Sequence, residues 1–478
     1  MMSDSLRRRS SLLPLALMAA STLLLGGCAS MSTNSVSSNV QKGSTFVIGT
    51  DAPMDAVTSL AVQVQSVTLS DGTTTTPSLI SGTPTVDFAR FNGLQTLLDM
   101  NSVPVGTYTS VTITLGSATL GYLDTTTTPP SIKTEAATLT TSSVTITLDK
   151  PLVVATASAP VGLRVDFDLK DSIAVDSSGN ITGSVTPTFR VNTLKNDDDR
   201  AHIDEFVAAV TTVPTSTTEP ASFVVQGPHG QQFTINTTSD TDWDGDASLS
   251  ALTTSSIVLV AGKLDAATQT LDADEVAILS QTGFYADGQV TYVTPTTGAA
   301  TSFDFYVRGV LPASTGVQLG DIAQVNLAGT EKYYIYWMRN PFTQFLFNSS
   351  GLLAGQHISV GGPATGAADA TNVTVKRVIL RNWGFNGTVV PGSQNQSNGT
   401  FQMQVTGFAG VLIPEKVTVY LGGNSDFRFG CDGFGNLTDG ASIRVVGLLL
   451  KDPTTGNAIL LGRHVDGDNF TDFNTSMY

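Results

Sequence analysis

One short stretch of the sequence spaces its carboxylates as a ligand loop would: Asp240-Thr241-Asp242-Trp243-Asp244-Gly245-Asp246. Acidic residues at alternate positions followed by glycine form the first half of a calcium loop, in which positions 1, 3 and 5 supply oxygens and glycine permits the turn. The position that would hold the bidentate glutamate is Ala251, so a calcium shell on Asp240, Asp242, Asp244 and Asp246 needs a further ligand from elsewhere. The competing reading is an acidic, solvated loop between two strands. Calcium is the only cofactor the chain suggests. Asp166 and Asp168, two apart in a strand pattern, send their carboxylates to one face. Such a pair either serves acid–base chemistry at a glycosidic bond or solvates an outer face beside Arg164 and Lys170. Aromatic residues crowd the segment from Tyr333 to Phe347. Tyr334, Tyr336, Trp337 and Phe342 are the candidate binding surface for a glycan or an envelope protein, because flat rings offer large contact area at low entropic cost. Core packing is the alternative. His202, His229, His357 and His464 show no metal-ligand spacing, and the common nucleophile-elbow, zinc-protease and phosphate-loop motifs are absent. The expectation is a protein without catalytic activity.

These candidates follow an N-terminus built for export. Arg7, Arg8 and Arg9 precede an apolar run from Leu12 to Leu25, the layout of a secretory signal peptide and too short to span a bilayer comfortably. The run ends in Leu25-Gly26-Gly27-Cys28, which resembles the lipobox of bacterial lipoproteins. That resemblance implies acyl chains on Cys28, the membrane as a partner through them, and, with Ala29 next, sorting to the outer membrane. The chain has two cysteines. Once Cys28 carries lipid, Cys431 has no partner for an intramolecular disulfide. Cys431 reads as a buried, inert thiol, or as a nucleophile if His464 lies beside it.

The 478 residues allow three or four domains. Only 13% of them are charged, while Thr, Ser, Gly and Val dominate, a composition suited to strands and turns. A formal charge of −16 repels phosphate backbones and excludes nucleic acid as a partner. Strict alternation at Leu60-Val62-Val64, Val111-Ile113-Leu115 and Val144-Ile146-Leu148 predicts half-buried antiparallel strands. A one-residue change of phase precedes Val67 and Leu69. Leu94, Leu97 and Leu98 predict a short helix or turn within residues 88–100.

The segments FVIGTDAP, VPVGTYTSVTITLG and VDFDLKDSI occur in that order. With their T-D-A-P turn (Thr50 to Pro53), P-x-G-x-Y motif (Pro104 to Tyr108) and late D-F-D strand (Asp166 to Asp168), they resemble the bacterial lipoprotein family called domain of unknown function 4382. The resemblance implies a transthyretin-like or immunoglobulin-like β-sandwich and brings no activity with it. Beyond it, FVAAVTTV, SFVVQG, SIVLVAGKL and DADEVAIL set a plan that recurs twice, the mark of tandem modules. These resemble the small β-barrel repeats called domain of unknown function 5666. The expected all-β organisation is a signal peptide (1–27), a flexible tether (28–44), a β-sandwich (45–193) and an acidic linker (194–204). Three β-barrel modules (205–282, 283–382 and 383–468) and a polar tail (469–478) complete it.

Overall fold

The computed structural model describes residues 41–467, apart from 53–56, 92–95, 125–130, 157–159, 178–179, 196–201, 229, 231, 266–267, 313–315, 337–345, 414–415 and 429. Cys28, the tether as far as residue 40, the tail, His229, Trp337, Phe342 and Phe345 lie outside the described residues, and the last three residues assigned to the tether, 42–44, open the first strand. The all-β expectation holds.

Eleven strands make the N-terminal sandwich: β1 (Lys42–Ala52), β2 (Val57–Ser70), β3 (Thr85–Asp87), β4 (Thr96–Pro104), β5 (Gly106–Asp124), β6 (Ser131–Leu139), β7 (Ser143–Val154), β8 (Val161–Asp168), β9 (Ile173–Val175), β10 (Ile181–Val185) and β11 (Phe189–Lys195). One sheet runs β11-β8-β1-β4; the other runs β3-β2-β5-β6-β10-β9, with β7 also on β5. The phase change in β2 is a pair of register shifts around Val64 against β5, where bulging lets Val67 and Leu69 return to the core. The four-stranded sheet is buried on both faces. Val47, Leu163, Val165, Phe167 and Val191 point into the sandwich, while Phe46, Ile48, Leu97 and Leu194 point into the core of the next module.

That double burial corrects the short helix or turn expected within residues 88–100 for its part at Leu97 and Leu98. Residues 96–104 are strand β4, and the adjacent Leu97 and Leu98 serve opposite cores, the period of a strand rather than a helix. Among the described residues there, Phe88–Arg90 forms a helical turn.

The motifs of the sandwich are structural. Tyr108 donates its hydroxyl to the Pro104 carbonyl at 2.7 Å, and a Cβ on Gly106 would sit 3.3 Å from that ring. Phe167 packs among Phe88 and Phe189 at centroid distances of 4.9 and 4.6 Å. Asp168 accepts the Asp171 N–H at the start of a one-turn helix (Leu169–Ser172) and pairs with Arg190 at 2.8 Å.

The remaining strands repeat one topology three times. The first module has β12 (His202–Thr212), β13 (Ala221–Gln226), β14 (Gln232–Thr237), β15 (Asp242–Asp244), β16 (Ile257–Asp265) and β17 (Thr270–Ser280). Parallel pairing of β14 with β17 closes the ring β12-β13-β14-β17-β16. The second has β18 (Gly283–Thr294), β19 (Ser302–Leu311), β20 (Ile322–Asn326), β21 (Lys332–Ile335), β22 (His357–Pro363), β23 (Val373–Thr374) and β24 (Arg377–Arg381). The third has β25 (Trp383–Val389), β26 (Thr400–Val405), β27 (Lys416–Arg428), β28 (Ser442–Lys451) and β29 (Ala458–Asp466), closed as β25-β26-β27-β29-β28. In each, the first strand pairs with the second and fourth, and the third runs parallel to the fifth. This is the order of the five-stranded Greek-key barrels called OB-folds. The middle module departs from a closed ladder. Its fifth strand is broken at Val375 and Lys376 into β23, on β20, and β24, on β21 and β22. Among the described residues its hydrogen-bonded order is therefore open, β21-β24-β22-β18-β19-β20-β23. Val375 is buried in the module core at the break.

The cores do not stop at module limits. Leu448, Leu450, Ile459 and Leu461 of the third barrel complete the core of the second module. Val207, Leu259 and Ala277 of the first barrel pack on Tyr285, Tyr336 and Ile379 of the second module. Polar ties reinforce these seams. Ser59 and Tyr306 share a hydrogen bond of 2.5 Å. Arg381, wholly buried, donates to Glu205 of the first barrel and, at 2.8 Å, to Ser359 Oγ. Removing one partner of such a pair leaves a buried charge uncompensated. Glu205→Ala is therefore expected to lower unfolding free energy by about 3–5 kcal/mol, and adding Arg381→Met should recover most of that loss. Denaturant titration of the single and double variants checks it; an unchanged midpoint in Glu205→Ala would contradict the seam.

Candidate functional site

The Asp240–Asp246 stretch crosses the edge of the first barrel, and its carboxylates have separate environments. Asp240 lies at the rim of a surface groove. Asp242 is exposed, and Asp244 is half-buried on β15. Gly245, at φ 69°, turns the chain beneath the Tyr334 ring, which would lie 2.8 Å from a Cβ there. Asp246 then meets Arg377 with both oxygens, at 2.6 and 3.0 Å, and Lys332 at 3.1 Å. Burial alone would raise the Asp246 pKa, but hydrogen bonds from Arg377, Tyr334 and Lys332 outweigh it and hold the carboxyl at about 2. The position that completes the calcium pattern is thus the carboxylate half of a bidentate ion pair between modules. Among the described residues, no three His, Cys, Asp or Glu side chains form a group able to hold a metal ion.

Strand β15 brings in a residue the spacing did not reveal. It pairs in parallel with β17, placing Asp242 opposite Glu275. Glu275 is buried, and its Oε1 has no hydrogen-bond partner. Its pKa is driven far upward, first by burial and then by the charge and hydrogen bond of Asp244, against the pull of Arg463 from the third barrel. The pair is a carboxylic acid hydrogen-bonded to a carboxylate. Tyr336 completes the neighbourhood: it is fully buried, and burial with the nearby Glu275 and Glu205 raises its hydroxyl pKa well above the ordinary value.

The aromatic surface expected from sequence changes accordingly. Tyr336 has no exposed face. Tyr334 is half-buried, with the Arg377 guanidinium 5.1 Å from its ring centroid. Both ring positions are used between modules, because Arg377 and Arg381 need cation–π and hydrogen-bond partners out of water. Trp337 and Phe342 lie outside the described residues.

Asp166 and Asp168 are buried, at 2% and 1% exposure, which corrects the solvated-face reading. Arg164 beside them is buried too and donates to Asn192 at 2.9 Å. Cys431 is buried in the core of the third barrel, where desolvation raises its pKa, opposite to what a nucleophilic thiol needs. His464 faces Asp466 at 3.6 Å, and burial lowers its pKa. A second buried histidine, His357, directs its ring nitrogens at Asp287 Oδ2 and the Asn382 carbonyl, each at 3.1 Å.

The groove at Asp240 is an open cavity of about 740 Å³ on the first barrel. Its walls are Thr215 and Ser216 from the loop between the first and second strands, Ser222 from β13, Asn236 and Thr238 at the end of β14, and Asp272 and Asp274 from β17. No lysine or arginine lines it. Asn236 donates to Asp272 at 2.9 Å, and His202 contacts Asp274 at 2.9 Å. Hydroxyls, an amide and carboxylates on one surface can hydrogen-bond a polar, uncharged or cationic ligand and repel an anionic one.

One consequence follows for Glu275. The folded chain keeps a proton there that the unfolded chain releases above the ordinary glutamate range. Its contribution to stability is therefore greatest at low pH and declines as pH rises through neutrality. Glu275→Gln is expected to flatten the fall of the denaturation midpoint between about pH 6 and pH 9. An unaltered slope in the variant would show that Glu275 is ionised in the fold.

Comparison with known proteins adds one finding. No curated protein and no solved structure matches the chain. Residues 43–183 match the model of the family described as domain of unknown function (DUF4382), which supports the family reading of the N-terminal sandwich.

Proposed function

We propose that the protein is a lipid-anchored, non-catalytic binding scaffold of the bacterial envelope, and that its groove holds a hydroxyl-rich glycan. The groove carries the reading. It lies on the second and third strands and the first connecting loop of a five-stranded barrel, where barrels of this order bind oligosaccharides and oligonucleotides. The acidic walls disfavour the second class. Barrel order alone assigns no ligand; the convergence of Asn236, Asp272 and the Thr and Ser hydroxyls supports the choice. The scaffold half rests on the buried charge pairs, which use the interior ionisable groups to fix one module against another. Lipid anchoring rests on the export layout and on Cys28, and the outer membrane on Ala29.

Glycan arrays and calorimetry with envelope polysaccharide fragments test the groove. The double variant Asn236→Ala, Asp272→Ala should weaken binding by about ten- to a hundredfold at unchanged thermal midpoint, the loss of two polar contacts. If the wild-type protein binds no glycan, the reading reduces to a structural spacer; glycan cleavage would instead establish a hydrolase. For the anchor, Cys28→Ala should move the protein from the membrane to the soluble fraction and remove the acyl mass from its N-terminal peptide. A variant that remains in the membrane with unchanged mass would overturn the lipoprotein reading.

A further inference from the structure

The first described residue, Gln41, fixes where the N-terminal segment meets the sandwich. Its carbonyl accepts the Val105 N–H at 3.0 Å, and Lys42 pairs with Pro104 across β1 and β4. At the same corner, Gly106 and Thr107 pair with Val154 and Val153 of β7. A Cβ on Gly43 would lie 2.6 Å from Val154, so β1 and the end of β7 are in direct contact. Two valines stand out of the fold at this corner, Val105 at 37% and Val153 at 55% exposure. Lys42, Lys150, Pro151 and Ala155 are exposed around them, with one acid, Asp149.

Twelve residues separate Cys28 from Gln41. At about 3.5 Å per residue, chain length alone keeps this corner within roughly 45 Å of an acyl chain on Cys28, so the lipid meets it at raised effective concentration. Weak contacts suffice under that constraint, because the anchor has already brought the surfaces together. We propose that the corner formed by Lys42, Val105 and Val153 rests on the lipid surface that holds Cys28, so that the sandwich is seated on the membrane rather than swinging free on its tether. This rests on the lipoprotein reading above. The seated sandwich fixes the orientation of the modules that follow, which are docked to it.

The test places an environment-sensitive fluorophore at Val153→Cys and, as a control, at Ile322→Cys, an exposed apolar position in the second module. The acylated full-length protein is reconstituted into vesicles of phosphatidylethanolamine and phosphatidylglycerol. The Val153 probe should be blue-shifted and quenched by headgroup-level lipid spin labels, and the Ile322 probe should show neither effect. Equal exposure of both probes to an aqueous quencher would overturn the proposal. Failure of natural acylation is separated by coupling a maleimide lipid to the cysteine of the mature N-terminus. If the Val153 probe contacts lipid in that preparation, the surface assignment stands although the natural anchor is lost; if it stays aqueous, the assignment fails by itself. Val105→Ser with Val153→Ser should abolish the lipid contact of a probe at Lys42→Cys without altering the thermal midpoint, and a retained contact would count against the two valines.

Discussion

A guanidinium taken wholly out of water must keep its carboxylate, and Arg381 depends on Glu205 in this way. The rest of the assembly is arranged around that requirement. Ser359 takes one of the Arg381 donors, and Tyr285 and Tyr336 wall in the group. Glu275 nearby is neutralised by proton uptake rather than by a full partner. Such groups are poor sources of net stability compared with well-packed apolar residues. Their value lies in direction: each tie is satisfied in one relative placement of two modules.

The apolar contribution follows a different rule. Sheets in this chain are buried on both faces at the joints, so one strand serves two cores. The strand from Lys42 to Ala52 feeds the sandwich with Val47 and the first barrel with Phe46 and Ile48. Strands β28 and β29 do the same for the second and third modules. Division into a sandwich and three barrels therefore describes connectivity well and energetics poorly.

Most of the strands were legible because their alternation is local. Leu60-Val62-Val64 or Val111-Ile113-Leu115 announces a half-buried strand without reference to the rest of the chain. The third strand of every barrel lies outside the repeated plan: QFTINT, IAQVN and KVTVYL alternate as clearly, but they are not alike from module to module. They are also the strands that pair in parallel with a distant partner, a relation no short window contains. Leu97 and Leu98 misled for a related reason, since adjacent leucines look helical unless two cores are known to exist. At the candidate site, spacing made Asp240–Asp246 conspicuous, but the fate of Asp246 is decided by Arg377, more than a hundred residues away. A signal for the seam was present in NVTVKRVILRN, where arginines interrupt a strand otherwise written for burial.

The closing strand of the third barrel has a consequence for how the chain becomes a protein at all. Ile459 and Leu461 belong to the core of the preceding module, and β29 also closes its own ring through a parallel ladder that no hairpin can supply. A chain that emerges N-terminus first therefore holds two unfinished modules until β29 (Ala458–Asp466) appears. A product cut short before Ala458 would leave both the gap in the third ring and the apolar face of the second module open to water. The presence of β29 is thereby written into the packing of two modules, and proteases that survey exposed β-edges can tell a chain that has it from one that lacks it.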